Sequence, residues 1–575
     1  MAYRANKNQQ VRFDDAVLNL TKREERMLRG SWATAFAEHV FSKINEDRFA
    51  VLYSQDVASR PNTPVNVIIG AMLLKQAYGL TDEEVVETIA FDIRWQEALH
   101  TTSFEEQPFS DRTLSRFRER LLSYEEKTGI DLFKEEMESL AGIYAKCMNI
   151  NGRLKRMDSM TISSSCRRMG RLTLVYECVR QMAEALHRMG MDELLTGGLM
   201  KYVEEEPKTD PGYRLDDEEA GRDLVERIKD GYRLWFACGD ACGNALETLR
   251  ELPEYRHLER MLWDQTEVEL GEEVRIRLKE NREIATDSLQ NPSDEDATYR
   301  IKGGKGSVGY VGNLVEAKGE NGSIIESYDL KPNITPDTEF TKAELARIGT
   351  PEEKTTLVAD GAYGSGELME QAQRQNIDFV TTALNGTQTN PLIGKFEVDE
   401  SGRIIRCPGD MTPYQTKYNP VTGVSTARFA HDDCVRCPLR DRCPKSGSRK
   451  HQEVRFTEKQ RLRASAQERL GTDEMRLLKN IRNGIEAVPS LLRRRYGVDA
   501  IPVRGLKRTA LRFGAAIGAL NAVRFMNWVR KVGKDLSARS SALKKVLCLL
   551  RPSQIHAGLI WLGSPKFRYS LPLTA

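Results

Sequence analysis

Three carboxylates stand within, at the end of, or beside apolar elements. In "LKRMDSMTISSS" (residues 154–165), Leu154, Asp158, Met160 and Ile162 share one face of a period-2 element. An unpaired carboxylate buried there costs roughly several kcal/mol, so Asp158 needs a partner, and a divalent metal ion is one. A strand-end position with its side chain in water is the alternative. Asp360 ends the apolar strand "TTLVAD", and Gly361 then lets the chain turn away. Ligand sites of α/β sheets collect at such carboxyl ends, although Asp-Gly is also an ordinary turn. Glu486 lies in "EMRLLKNIRNGIEAVPSLLRRRYG". There Leu478, Ile481, Ile485, Val488 and Leu492 form a helical apolar stripe, and Lys479, Arg482, Glu486 and Arg493 run beside it. Pro489 and Gly484 predict a bend near Ile485. A plain Arg482–Glu486 surface pair, worth only ~0.3–0.5 kcal/mol, is the other reading of this stretch.

A second constellation is made of thiols. Of ten cysteines, Cys147, Cys166, Cys178, Cys238, Cys242 and Cys548 are scattered through helix-like sequence and read as reduced core residues. The remaining four, Cys407, Cys434, Cys437 and Cys443, follow the spacing C-x26-C-x2-C-x5-C. Two thiolates two residues apart suit tetrahedral Zn²⁺, and four ligands would close a structural site. Unligated thiols, or a set using His431 or His451, are the alternatives. Arg436, Arg440, Arg442, Lys445, Arg449 and Lys450 around them suit contact with a polyanion.

The elements that must hold these groups are legible along the chain. At 575 residues, several structural units are expected. No run of about eighteen apolar residues predicts a membrane span. The polar start "MAYRANKNQQVRFDD" lacks a secretory signal's apolar centre, so a cytoplasmic location is expected. The net charge of +2 hides an asymmetry. Residues 201–300 carry 27 acidic against 15 basic residues, whereas 450–512 carry 16 basic against 7 acidic. The acidic block reads as a solvated helix face, and the basic one as a phosphate-following surface.

Residues 1–150 read as a helical unit, with Thr63 and Pro64 opening one helix and a Thr81–Glu84 capping box opening another. "PFSDRTLSRFRERLL" opens a basic helix whose Arg112 and Arg116 are candidate DNA contacts in a helix-turn-helix. Residues 151–170 hold the first core strand and 171–295 a helical insertion. In 296–394, "VGYVGNLVEA" and "SIIESYDLK" meet across the turn "GENGS", and crossover helices then alternate with strands. This mixture points to a three-layer α/β core. "GGKG" at 303–306 lacks P-loop spacing and reads as a loop near phosphate at most. Residues 395–455 form the Cys-rich insertion, 456–530 return to helix, and 531–575 form a tail.

An acid in the first strand, an acid ending a later strand and a Glu on a following helix resemble the DDE transposases of bacterial insertion sequences. The resemblance spans roughly residues 15–530. "RMDSMTI" is similar to their first catalytic strand and "LVADGAYGS" to their second Asp motif. Their third motif runs Tyr–Arg–Glu–Lys. Here Arg482 and Glu486 match, while Lys479 replaces Tyr and Arg493 replaces Lys. The resemblance implies an RNase H-like mixed-sheet core with a helical N-terminal DNA-binding and dimerisation domain. It also implies binding of the element's ends, metal-dependent DNA cleavage and strand transfer. Asp158, Asp360 and Glu486 would then be the catalytic Mg²⁺ ligands. Asp158 would bridge two ions (Mg²⁺ or Mn²⁺) about 3.5–4 Å apart, with Asp360 and Glu486 each completing one site. Cys-rich insertions occur in a subgroup of the family. Arg482, Arg493, Arg504 and Lys507 are the further candidate DNA contacts. The expected partners are terminal inverted repeats, target DNA and a second protomer, in a bacterial, nucleoid-associated setting. Tyr363, beside Asp360, reads as a core residue, with base stacking as the alternative. A non-catalytic DNA-binding descendant and a nuclease without strand transfer are the competing functions.

Overall fold

The computed structural model describes residues 1–6, 16–56, 58–102, 110–206, 211–240, 244–270, 274–302, 304–383, 389–447, 451–470 and 472–549. The chain divides into two compact units, one of residues 1–72, 81–114 and 521–575, the other of residues 73–80 and 115–520.

Helices dominate the N-terminal sequence: α1 (Lys22–Arg29), α2 (Trp32–His39), α3 (Val65–Tyr78), α4 (Asp82–Phe91), α5 (Ile93–Leu99) and α6 (Asp111–Thr128). The expected capping box opens α4. Glu84 N–H donates to Thr81 Oγ1 at 3.1 Å, and Thr81 N–H donates to Glu84 Oε2 at 2.7 Å. In the first unit, Trp32 and Trp95 meet edge to face at 6.2 Å between α2 and α5. Part of the segment between α5 and α6 lies outside the described residues, so the helix-turn-helix expectation cannot be placed there.

In the second unit, α7 (Leu132–Cys147) precedes β1 (Leu154–Ser163). An insertion follows, built from α8 (Arg171–Arg188), α9 (Lys201–Glu204), α10 (Asp217–Gly239), α11 (Asn244–Glu251) and α12 (Pro253–Gln265). It has its own core, including Val179, Met182, Leu234, Leu258 and Met261. One expectation is corrected here: the insertion is not wholly helical. β2 (Thr266–Leu270) and β3 (Val274–Leu278) pair as an antiparallel hairpin. The alternation in "TEVEL" and "VRIRL" is period 2, which a helix cannot bury on one face.

The chain then returns to the main sheet through β4 (Thr298–Lys302), β5 (Lys305–Gly319) and β6 (Gly322–Pro332). Next come α13 (Asp337–Ile348), β7 (Thr355–Ala359), α14 (Gly366–Arg374) and β8 (Ile377–Thr381). The strand order is β4-β5-β1-β7-β8, with β6 also on β5. β1 is antiparallel to β5 and parallel to β7, and β7 is parallel to β8. Both faces are covered. Met157, Leu357 and Ala359 pack with Phe340 of α13 and Leu368 of α14, while Leu154, Val358 and Val380 face the other side.

The Cys-rich segment is also more regular than the turns expected. β9 (Glu397–Val398) and β10 (Ile404–Arg406) pair. β11 (Gln415–Asn419), β12 (Val424–Ala430), the short α15 (His431–Val435), β13 (Ser446–Gly447) and β14 (His451–Thr457) follow. The strands form a second sheet in the order β11-β12-β14-β13. Ile404, Ala427, Phe429, Val454 and Phe456 give this module its own core. After it come α16 (Glu458–Arg469), α17 (Asp473–Asn483), α18 (Ala487–Tyr496) and the long α19 (Leu506–Leu549). α17 covers the face bearing Leu154 and Val358, with Met475 buried and Leu478 packed against them. Phe513 of α19 lies over Gly312 of β5, where a Cβ would come within 2.8 Å of its ring. The core therefore has three layers, α13 and α14 on one face and α17 and α19 on the other.

Candidate functional site

β1 is a central strand, and its register decides where the first two acids lie. Arg156 pairs with Val358 of β7, the last rung of that parallel ladder. Two residues further along each strand stand Asp158 and Asp360, so the period-2 pleat keeps both on one face. Neighbouring strands lie about 4.8 Å apart within a ladder, and both acids stand just past its last rung. Asp360 follows β7 immediately, and its Oδ1 accepts the Gly361 N–H at 2.7 Å. Gly361 is needed there because a Cβ would sit 2.8 Å from the Ala383 carbonyl oxygen.

Asp158 is only 15% exposed. Its Oδ1 accepts the Ser159 N–H at 3.0 Å. Burial pushes its carboxyl above the usual range, and the charges of Arg482 and Lys302 work against that shift. The carboxylate is thus under-compensated, a setting that an added cation would relieve.

The third acid is brought in by a break between helices. A 3₁₀ turn, Gly484–Glu486, separates α17 from α18, where Gly484 and Pro489 predict a bend. Ile485, Val488 and Leu492 are buried as the stripe requires, and Glu486 is left 60% exposed. A side chain that sequence reasoning overlooked pins the turn. Arg156 points from β1 to the same face as Asp158. Its Nη1 donates to the Ile481 carbonyl at 2.7 Å, and its Nε donates to Glu316 of β5 at 2.5 Å. Gly484 leaves room for it, since a Cβ there would lie 2.5 Å from Nη1. A charge two residues before Asp158 in the same register was the available signal.

Arg482, a candidate DNA contact, is engaged with two of the acids. It is 14% exposed and turned inward, donating from Nη1 to Glu486 Oε1 at 2.8 Å and from Nη2 to Asp158 Oδ1 at 3.4 Å. It is therefore more than the isolated surface pair that is the simplest reading of an i,i+4 spacing. No group of three or more His, Cys, Asp or Glu side chains among the described residues is set as a ready metal-binding cluster. The hard oxygen donors and the partly buried Asp158 fit a divalent ion by their chemistry.

Other neighbours were also missed. Ser159 Oγ donates to Asp337 at the start of α13 at 3.3 Å. Tyr363 is 1% exposed and donates to Asn313 Oδ1 at 3.0 Å, so it is a core residue and not a stacking platform.

Cys407, Cys434, Cys437 and Cys443 all line one small cavity. A Cβ on Gly409 would lie 2.8 Å from Cys437 Sγ and 3.7 Å from Cys407 Sγ. Burial, then the charges of neighbouring thiols, pushes Cys434 up, and burial pushes Cys443 up. The donor set suits zinc, but the expected closed tetrahedral site is not assembled among the described residues. His431 is engaged with Gln452 at 3.4 Å. Of the remaining basic candidates, Arg112, Arg116, Arg493 and Arg504 are exposed and Lys507 is half-buried. No described helix is long and apolar enough to cross a membrane.

Two family comparisons bear on these elements. Residues 406–526, which include the four cysteines and Glu486, match the family described as transposase DDE domain. Residues 25–120, which include Arg112 and Arg116, match one described as transposase domain (DUF772). No curated protein and no solved structure matches the chain. Asp158 and Asp360 lie outside both matched stretches, yet the fold sets them side by side on the strands beneath the Glu486 turn. The two family matches support a DDE-type insertion-sequence transposase.

Proposed function

We propose that the chain binds the ends of its own insertion sequence and catalyses DNA cleavage and strand transfer from Asp158, Asp360 and Glu486. The observation that carries this reading is the placement of the two aspartates at equivalent positions of adjacent parallel strands, with the Glu486 turn pinned above them. Strands β1, β5 and β6, in which β5 is antiparallel to both others, followed by β7 and β8 parallel to β1, support an RNase H-like core. Transposases of the DDE class use divalent metal. When bound by these carboxylates, Mg²⁺ or Mn²⁺ would activate the attacking hydroxyl and stabilise the departing 3′-oxygen.

The chain's own residues supply the rest. Asp158 and Asp360 present oxygens from a rigid sheet, and the buried Arg156 holds the Glu486 turn at a fixed height above it. Arg482 balances Asp158 and Glu486 before metal and DNA arrive. Its displacement then frees a guanidinium for a phosphate beside the site. Arg493 and Arg504, with Lys507, follow the DNA backbone, and Arg112 and Arg116 read the end sequence. A second protomer completes the synapse of two ends. The four cysteines would close around zinc as a structural brace, a reading supported by their convergence on one cavity.

The test is an assay on duplexes carrying the element's end that scores cleavage and strand joining separately, in Mg²⁺ and in Mn²⁺. Metal-dependent cleavage followed by joining is expected. Cleavage without joining would leave a nuclease, and end binding with neither would leave a DNA-binding descendant.

A further inference from the structure

The two strands that lead to the aspartates are tied together on the face of the sheet opposite the acids. Tyr363 shares a buried cluster with Met157, Val311, Val315 and Phe340, on the α13 side of the sheet. The pleat puts Ser159 and Asn313 on that side and Asp158 on the other. Ser159 and Asn313 are partners in the β1–β5 register. Asn313, Asp337, Thr341 and Tyr363 are all buried. Buried polar groups keep their hydrogen bonds or cost stability, so the destination of each bond is informative.

The bonds converge on the turn that follows Asp360. That turn, Gly361–Tyr363, is closed by the Tyr363 N–H, which donates to the Asp360 carbonyl at 3.1 Å. The Tyr363 carbonyl accepts the Thr341 hydroxyl at 3.0 Å. The Tyr363 hydroxyl donates to Asn313 Oδ1 at 3.0 Å. β1 lies between β7 and β5, so this last bond links the turn after β7 to the strand on the far side of β1. Asp337 stands four residues before Thr341 and therefore on the same face of α13. It accepts the Ser159 hydroxyl at 3.3 Å. α13 thus holds both the residue after Asp158 and the turn after Asp360.

The two acids differ in how the sheet fixes them. Asp158 is held in a rung with Leu314 of β5, whereas Asp360 belongs to no rung among the described residues. The Asp360 carboxylate accepts the Gly361 N–H at 2.7 Å and the Thr382 hydroxyl at 3.5 Å, and neither bond reaches β1 or β5. We propose that Tyr363 is a positioning residue for cleavage: its hydroxyl, bonded to Asn313, sets the Asp360 turn against the strands that hold Asp158. The proposal rests on the cleavage function put forward above. Two carboxylates serve a shared metal site only while their oxygens keep a fixed separation, and this bond supplies the tie that the β1–β7 ladder has ceased to give.

Full-length Tyr363→Phe, Asn313→Leu and the double variant would be compared with the parent protein on a duplex carrying the element's end. kcat and KM would be measured across a Mg²⁺ titration, beside the thermal midpoint. Tyr363→Phe keeps the ring but leaves Asn313 Oδ1 buried without its donor, so its midpoint should fall. The double variant removes both polar groups and should recover most of that loss. Cleavage should not follow the midpoint. In Tyr363→Phe and in the double variant alike, kcat should fall about tenfold or more, since ~1 Å of misplacement can cost on the order of 10²-fold. KM for the duplex should stay within about twofold, because only the chemical step is disturbed. The half-maximal rate should need more Mg²⁺ than in the parent. A parental kcat in Tyr363→Phe overturns the proposal. So does a double variant that regains kcat together with its midpoint, since the hydroxyl would then serve stability alone. A raised KM at unchanged kcat also overturns it, by moving the effect to DNA binding. A parent that cleaves no DNA in Mg²⁺ or Mn²⁺ overturns the cleavage reading and this proposal with it.

Discussion

Arg156 and Glu316 form an ion pair across β1 and β5 in which the side chains are 7% and 0% exposed. Glu316 also accepts the Ser323 hydroxyl at 2.7 Å. Removing one partner strands the other charge in the interior. Arg156→Ala should therefore cost about 3–5 kcal/mol of stability, measured by denaturant unfolding. Replacing both residues with apolar ones of similar volume should recover much of that loss while leaving cleavage impaired, because the Ile481 carbonyl loses its donor. Full cleavage in the double variant would show that the Glu486 turn needs no pin. Gly484→Ala should impair cleavage in the same way, since its new Cβ displaces the guanidinium.

Arg482 occupies the space between Asp158 and Glu486. A cation there competes with any other. In the DNA-free protein, Arg482→Gln should bind Mn²⁺ several-fold more tightly by calorimetry, while cleaving more slowly. Weaker metal binding by the variant would mean that the guanidinium organises the acids and does not compete for them.

The acids themselves should separate binding from chemistry. Replacing Asp158, Asp360 or Glu486 with Ala should abolish cleavage and leave end binding within about threefold, because metal ligands do not read bases. Any single variant that cleaves at the parental rate in Mg²⁺ is removed from the site.

Thiol chemistry tests the Cys-rich module. Purified protein should hold about one tightly bound zinc per chain, and Cys434→Ser should release it. Without zinc in the parent protein, the four thiols are a reduced cluster only. In either case Cys178 and Cys238 should resist alkylation in the native state, because burial raises both thiols, Cys238 to about 12. The exposed Cys147 should react first.

The two basic surfaces should fail differently. Arg493→Ala should weaken binding to end and random DNA alike and flatten the salt slope. Arg112→Ala or Arg116→Ala should cost more on the end, by roughly 1–3 kcal/mol per base contact. Loss of end preference in Arg493→Ala alone would place sequence reading on α18.

Local patterns alone determined much of this protein. Period-2 runs located β1, β5 and β6, an apolar run located β7, the Thr81–Glu84 box opened α4, and Gly484 with Pro489 foretold the break before Glu486. They also singled out Asp158 and Asp360, because a carboxylate at the end or in the face of an apolar strand violates the local pattern. The β2–β3 hairpin was legible in the same period but lay hidden inside helical sequence. What only the tertiary structure decided are relations between residues far apart in the chain. Arg156 meets Ile481 across 325 positions and Arg482 meets Asp158 across 324. A charge beside a strand looks the same in sequence whether it ends in water, on a carbonyl or on an acid. Its partner is chosen by sheet register and by which helix covers that face, and neither is a local property.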